Sequence, residues 1–178
     1  GGVDVSRFST DELRTRIGLL TQDGYVFDST IEENLRIGVR DATQAQIDDA
    51  LRRARLLDWV QQLPDGLSTA VGEHGTRLSG GQRQRLCLAR LLLADFPVMV
   101  FDEPGEHLDT ETAAALMSDL LEITMGRTSV LITHRLSGLE SVDQIVVMRD
   151  GRIEQSGTHA ELLAAGGWYE TNWRNEQV

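Results

Sequence analysis

Between residues 76 and 109 the chain reads TRLSGGQRQRLCLARLLLADFPVMVFDEPGEHLD, and two acids, Asp102 and Glu103, follow directly on the apolar run PVMVF. Two carboxylates leaving a buried strand of a parallel sheet lie at its carboxyl edge, where such folds bind ligands. One acid of this kind can hold a hydrated Mg²⁺, and the next can polarise a water beside a phosphate. A lone Asp-Glu pair is more often a helix cap or a solvated strand end, but this pair has company suited to an anion. In LSGGQ, Leu78 to Gln82, Ser79 offers a hydroxyl and Gly80 and Gly81 offer unhindered amides at the start of a helix. A Ser-Gly-Gly turn alone is usually only a cap. His134, directly after the apolar stretch TSVLIT, is placed to contact a terminal phosphate, whereas a lone histidine is more often structural.

Those residues depend on the elements around them. Short apolar runs alternate with helical patterns along the chain, the signature of an α/β domain with a largely parallel sheet. STDELRTR opens on a capping serine and leads into IGLLTQD, a short strand running into a polar loop at Gln22. DSTIEENLRIG offers two overlapping capping boxes, Ser29 with Glu32 and Thr30 with Glu33. Thr43 caps a helix whose apolar positions Ile47, Ala50, Leu51, Ala54 and Leu57 recur at helical spacing. A glycine-rich connector, LPDGLSTAVGEHGTR, precedes the helix that Ser79 caps, which runs to about Ala94. PVMVFD reads as a fully buried strand, Asp109 opens a helix carrying Ala113, Leu116, Leu120 and Leu121, and TSVLIT reads as a second buried strand ending at His134. QIVVMRDGRIEQSG is a hairpin turned at Asp150 and Gly151, HAELLAA is a last helix, and the aromatic tail beyond it is expected to fray.

Composition narrows the class. The 178 residues suffice for one domain with a sizeable core. A net charge of −11 argues against a broad electrostatic nucleic-acid surface, so no nucleic-acid partner is expected. No run approaches the roughly 20 apolar residues that span a bilayer. The single cysteine, Cys87, excludes an intrachain disulfide framework and reads as a buried small apolar residue on a helix. All 17 Lys and Arg positions are arginine.

The motifs and their order resemble, essentially end to end, the nucleotide-binding domain of an ATP-binding cassette (ABC) transporter. LSGGQ matches the family signature, VMVFDEP the Walker B strand with its catalytic glutamate, HLD the D-loop, ITH the switch histidine and LLTQD the Q-loop. TAVGEHGTRLSGGQ and VFDSTIEENLRIG resemble the exporter subclass, while DEPGEHLD and LITHRLSGLESVDQIVVM look closest to the CydC-type half of heterodimeric thiol (cysteine or glutathione) exporters. The resemblance implies an α/β, P-loop NTPase-like parallel-sheet core, truncated at the N-terminus, with a helical signature subdomain at about residues 23–95. It implies ATP and Mg²⁺ as cofactors, a second nucleotide-binding domain in a homo- or heterodimer and an exporter's transmembrane domain as partners, and a place at the cytoplasmic face of the cell membrane.

By the same resemblance, Asp102 positions Mg²⁺, Glu103 polarises the attacking water, Gln22 senses the metal and the membrane domain, and His134 holds the γ-phosphate, all on nucleotide bound to the same subunit. Ser79, Gly80, Gly81 and Gln82 close over nucleotide held by the partner, with Asp109 communicating across the dimer. Tyr25, Val26 and Phe27, together with Glu73, are candidates for the interface with the membrane domain; a solvated glutamate and an ordinary apolar anchor are the competing readings. One departure is large. The family's phosphate loop, G-x-x-x-x-G-K-[ST], requires a lysine, and these residues contain none. The loop and the adenine-stacking aromatic are expected upstream of Gly1, leaving the fragment by itself inactive. Two other readings are a soluble cassette ATPase acting on nucleic acid and a nonhydrolytic partner that lends its signature turn in trans.

Overall fold

Ser9, Thr30, Thr43, Ser79 and Asp109 each accept a hydrogen bond from the backbone N–H three residues on, and each starts a helix. A side-chain oxygen at that position satisfies one of the amides a helix leaves unpaired at its start. The structure, a computed structural model, describes residues 2–176. It forms two units, the first ending at Ile132 and the second beginning at Thr133.

In the first unit, α1 (Thr10–Arg14) leads into β1 (Ile17–Leu20), followed by α2 (Ile31–Arg36), α3 (Gln44–Arg53), α4 (Leu57–Gln62) and α5 (Gly80–Ala94). Then come β2 (Val98–Asp102), α6 (Thr110–Thr124) and β3 (Thr128–Ile132). The strands form one parallel sheet in the order β1-β2-β3, with Leu20, Phe101 and Leu131 in register. Parallel neighbours require crossovers, which α2 to α5 and then α6 supply. From Leu86 on, α5 is apolar nearly all round, and Leu86, Cys87, Leu88, Ala89, Leu91, Leu92 and Leu93 are buried. A helix of that kind belongs inside a core, and α5 packs on β1, α2, α3 and α6.

Several expectations are corrected. Of β2, Met99 and Phe101 are buried while Val98 and Val100 are half-buried, and β3 is mostly exposed. Strands with apolar residues on both faces read as doubly covered, but among the described residues only one face of this sheet is covered. Leu57 does not continue the helix capped by Thr43. Arg55 adopts a left-handed φ of 54° that ends it, and Leu57 starts α4. Arg85 donates to the Ala54 carbonyl at that break and to Asp119 of α6, which also pairs with Arg55. At α2 the Thr30–Glu33 box forms, whereas Ser29 donates to Glu33 instead of pairing with Glu32.

In the second unit, β4 (Ile145–Arg149) and β5 (Arg152–Gly157) pair as a hairpin about Asp150 and Gly151, whose φ values of 49° and 73° suit a two-residue primed turn. Two helices follow, α7 (His159–Ala165) and α8 (Trp168–Glu176). The aromatic tail therefore does not fray as far as Glu176. Tyr169 is fully buried, its hydroxyl meets His159 Nδ1 at 2.9 Å, and Gln155 accepts from the Tyr169 N–H at 3.0 Å. Residues 177 and 178 of the tail lie outside the described residues.

Candidate functional site

The strand β2 delivers Asp102 as its last residue, and the chain turns sharply at once. Glu103 takes a left-handed φ of 46° while its N–H donates to the Ile132 carbonyl at 2.9 Å. The parallel ladder thus holds one residue beyond the strand, and the bend after it must be strained. A left-handed glutamate costs about 1–2 kcal/mol and persists only where its surroundings impose it. Below the bend, Glu106 N–H donates to the Glu103 carbonyl at 3.2 Å and Leu108 N–H to that of Gly105 at 3.2 Å. The descent ends at Asp109, whose Oδ1 accepts from Thr112 N–H at 3.0 Å and starts α6. That backbone hydrogen bond, foremost among several, holds the Asp109 carboxyl below its ordinary range.

The signature turn stands against the same segment. Ser79 and Gln82 close a reciprocal capping box, Ser79 Oγ accepting from Gln82 N–H at 3.2 Å and Gln82 Oε1 accepting from Ser79 N–H at 2.9 Å. The box uses those amides and leaves the N–H groups of Gly80 and Gly81 outside it. Both glycines are also needed for packing. A β-carbon on Gly80 would stand 3.1 Å from Leu108 Cδ2, and one on Gly81 would stand 2.9 Å from Thr112 Cγ2.

The loop after β1 is held by α5 at two points. Gln84 Nε2 donates to the Gln22 carbonyl, and further along the helix Arg90 Nη1 donates to the Tyr25 carbonyl at 2.9 Å. Arg90 also donates to the Asn34 carbonyl and to Asn34 Oδ1, both at 2.9 Å, and lies 5.8 Å from the Phe27 ring centroid. Asn34, fully buried, in turn accepts from Phe27 N–H and donates to the Phe27 and Thr30 carbonyls. Burial lowers the Arg90 pKa, and its hydrogen bonds go to neutral oxygens. The pair Asn34 and Arg90 thereby fixes the backbone on both sides of Val26.

Of the four residues expected at an interface, Val26 is 1% exposed and belongs to the core, while Tyr25 and Phe27 are 54% and 45% exposed. Their rings meet edge to face at 4.7 Å, and His74 adds a third ring 5.1 Å from Tyr25. Glu73, exposed beside His74, completes a surface of aromatic rings with one acid. His107 and Asp23, both exposed, approach to 3.4 Å. In the second unit His134 is exposed, Thr133 Oγ1 accepts from Arg135 N–H at 3.0 Å, and the Glu176 carboxylate accepts from Leu136 and Ser137 N–H.

Sequence reading missed Gln84, Asn34, Arg90 and Glu176, which hold the loops carrying the candidate residues. The available groups fit part of a magnesium nucleotide. Asp102 offers the oxygen ligand a hard cation takes, and α5 starts with uncommitted glycine amides and no acid in its first turn. The lysine of a phosphate loop is not among these residues.

The family model for ABC transporters matches residues 1–106. The chain is 43% identical over 176 residues to an ATP-dependent lipid A-core flippase of Methylobacillus flagellatus, covering 98% of this chain and 30% of that protein. It is 41% identical over 169 residues to the same-named flippase of Francisella tularensis, covering 94% of this chain and 28% of that one. A solved bacterial Atm1-family ABC exporter with ATP bound superimposes with a TM-score of 0.89 at 36% identity, covering 99% of this chain and 31% of its own. The chain thus spans roughly 30% of the length of these relatives. With the family model matching more than half of the chain and the solved exporter 36% identical over nearly all of it, the chain belongs to the ABC transporter family.

Proposed function

We propose that these residues are part of the ATP-hydrolysing motor of an ABC exporter. The observation that carries this reading is the acid pair. Asp102 ends a parallel strand, and Glu103, whose N–H makes the last bond of its ladder, takes a strained left-handed bend, in a chain whose relatives include an exporter with ATP bound. Mg²⁺, when bound with ATP, supplies charge neutralisation on the phosphates. Asp102 and Gln22 would hold the metal, Glu103 would take the proton of the attacking water, and His134 would address the terminal phosphate. Ser79, Gly80, Gly81 and Gln82 close over nucleotide held by a second cassette, and Asp109 sits at that contact. Residues 23–95 act as the helical signature subdomain. Its ring surface, Tyr25 and Phe27 with Glu73, receives the membrane domain, which places the cassette at the cytoplasmic face of the membrane.

Hydrolysis belongs to the whole protein. Without a phosphate-loop lysine, the 178 residues by themselves turn over no ATP. The cargo is set by membrane helices outside these residues. A thiol cargo is supported by the sequence likeness in DEPGEHLD and LITHRLSGLESVDQIVVM, whereas the flippase relatives are named for lipid A-core.

The test is to reconstitute the full-length protein in vesicles and measure Mg-ATP hydrolysis and ATP-dependent movement of glutathione, cysteine and a lipid A-type amphiphile. ATP hydrolysis with movement of any one of them supports the exporter reading. Absence of hydrolysis in the full-length protein overturns it. Movement of the amphiphile alone overturns the thiol cargo.

A further inference from the structure

Glu176 lies in the last described turn of α8 and reaches back across 40 residues of chain. Leu136 N–H donates to both of its carboxylate oxygens, at 3.1 and 2.9 Å, and Ser137 N–H donates to Oε2 at 3.0 Å. One residue earlier, Arg135 N–H is taken by Thr133 Oγ1 at 3.0 Å. The three amides that follow His134 therefore each have a side-chain acceptor, and two share one carboxylate. Amides converging on an ionised acceptor make hydrogen bonds roughly twice as strong as neutral ones.

The anchor is itself fixed. α8 is seated by buried Tyr169, by the Tyr169 hydroxyl against His159, by Gln155 on the Tyr169 amide, and by Trp173, whose ring lies 4.6 Å from that of His159. Where a histidine sits exposed on a loop, the direction of its ring depends on how its backbone is held, and Glu176 holds that backbone two residues downstream. We propose that Glu176 is a positioning residue for His134, through which the C-terminal helix sets where the imidazole points. This rests on the reading that His134 addresses the terminal phosphate of ATP.

The test has two arms in the full-length protein. The first is hydrogen exchange at Leu136 and Ser137 in Glu176→Ala and Glu176→Gln. Exchange is expected to accelerate strongly in the alanine variant and weakly in the glutamine variant, which keeps an acceptor oxygen without the charge. Unchanged exchange in Glu176→Ala overturns the contact.

The second arm is a double-mutant cycle on ATP turnover with His134→Ala. Glu176→Ala alone is expected to lower turnover roughly tenfold to a hundredfold, the scale on which displacing a reacting group costs rate. Nucleotide affinity should hold, Glu176→Gln should recover most of the loss, and adding Glu176→Ala to His134→Ala should cost nothing more. Additive losses make Glu176 a structural stitch and overturn the proposal. Normal turnover in His134→Ala overturns the reading of His134 itself, whatever the exchange arm shows.

Discussion

The signature turn at Ser79 and the bend at Glu103 are both element ends, one opening a helix and the other leaving a strand, and their backbones are satisfied in opposite ways. At the turn, Ser79 and Gln82 spend their side chains on each other's amides, so what remains to offer is the backbone of Gly80 and Gly81. At the bend, the ladder bond to Ile132 forces a glutamate into a left-handed conformation, so what is presented is a side chain. The first is closed by its own side chains, with Gly80 and Gly81 packed closely against Leu108 and Thr112. The second is imposed on the chain, and strain held at an acid beside Asp102, the proposed metal ligand, is better explained by chemistry than by stability.

The sharpest way to break that contrast is Glu103→Gln in the full-length protein. Turnover should fall by about 100- to 10,000-fold with ATP affinity kept, since the side chain's shape is kept and its proton-accepting carboxylate is lost. Near-normal turnover removes the chemical reason for the strain. Next, Gly81→Ala should lower unfolding free energy by about 1–2 kcal/mol, because its β-carbon crowds Thr112 Cγ2 at 2.9 Å. Thr112→Ser, which deletes that methyl, should restore most of the loss; failure of the rescue would mean that the glycine serves the ligand and not the packing.

A smaller effect is expected at the bend. Glu103→Gly should be about 1 kcal/mol more stable than Glu103→Ala while both abolish turnover, since both delete the carboxylate and only glycine accepts a positive φ freely. No advantage of glycine over alanine, read by thermal unfolding, would show that the bend is not strained. The smallest effect concerns Asp109. Its carboxyl is held low in the folded state, first by the Thr112 amide, so its contribution is complete above the ordinary value of 3.8 and disappears as pH falls through the lowered one. Asp109→Asn keeps a capping oxygen and should flatten that part of the acid limb of stability against pH. An unchanged limb would leave the cap without an electrostatic part.

What was legible in the sequence was local. Ser79, Thr30, Thr43 and Asp109 announce themselves because a cap acts three residues away, and the acid pair because it ends an apolar run. The supports acted at distances no period records. Gln84 and Gln22 are 62 residues apart, Arg90 and Asn34 are 56, and Glu176 and Leu136 are 40. A polar side chain that bonds to backbone leaves no complementary partner to look for, so Asn34 and Arg90 passed as ordinary helix residues. Arg55 gave no warning of its left-handed break because arginine is not a turn residue. The tail looked frayed because its aromatics, Trp168, Tyr169 and Trp173, stand in an otherwise polar stretch with no aliphatic repeat beside them.

The single thiol has a use that its chemistry alone does not suggest. Cys87 lies buried on α5 directly beneath Gly24, between the points where Gln84 and Arg90 grip the loop, and burial pushes its pKa up. A thiol-labelling reagent therefore cannot react until that loop lifts, and the chain has no second cysteine to compete. Cys87 is a native clock for the loop, and its labelling rate measures how often the segment carrying Gln22 and Tyr25 breathes away from the helix that begins at the signature turn.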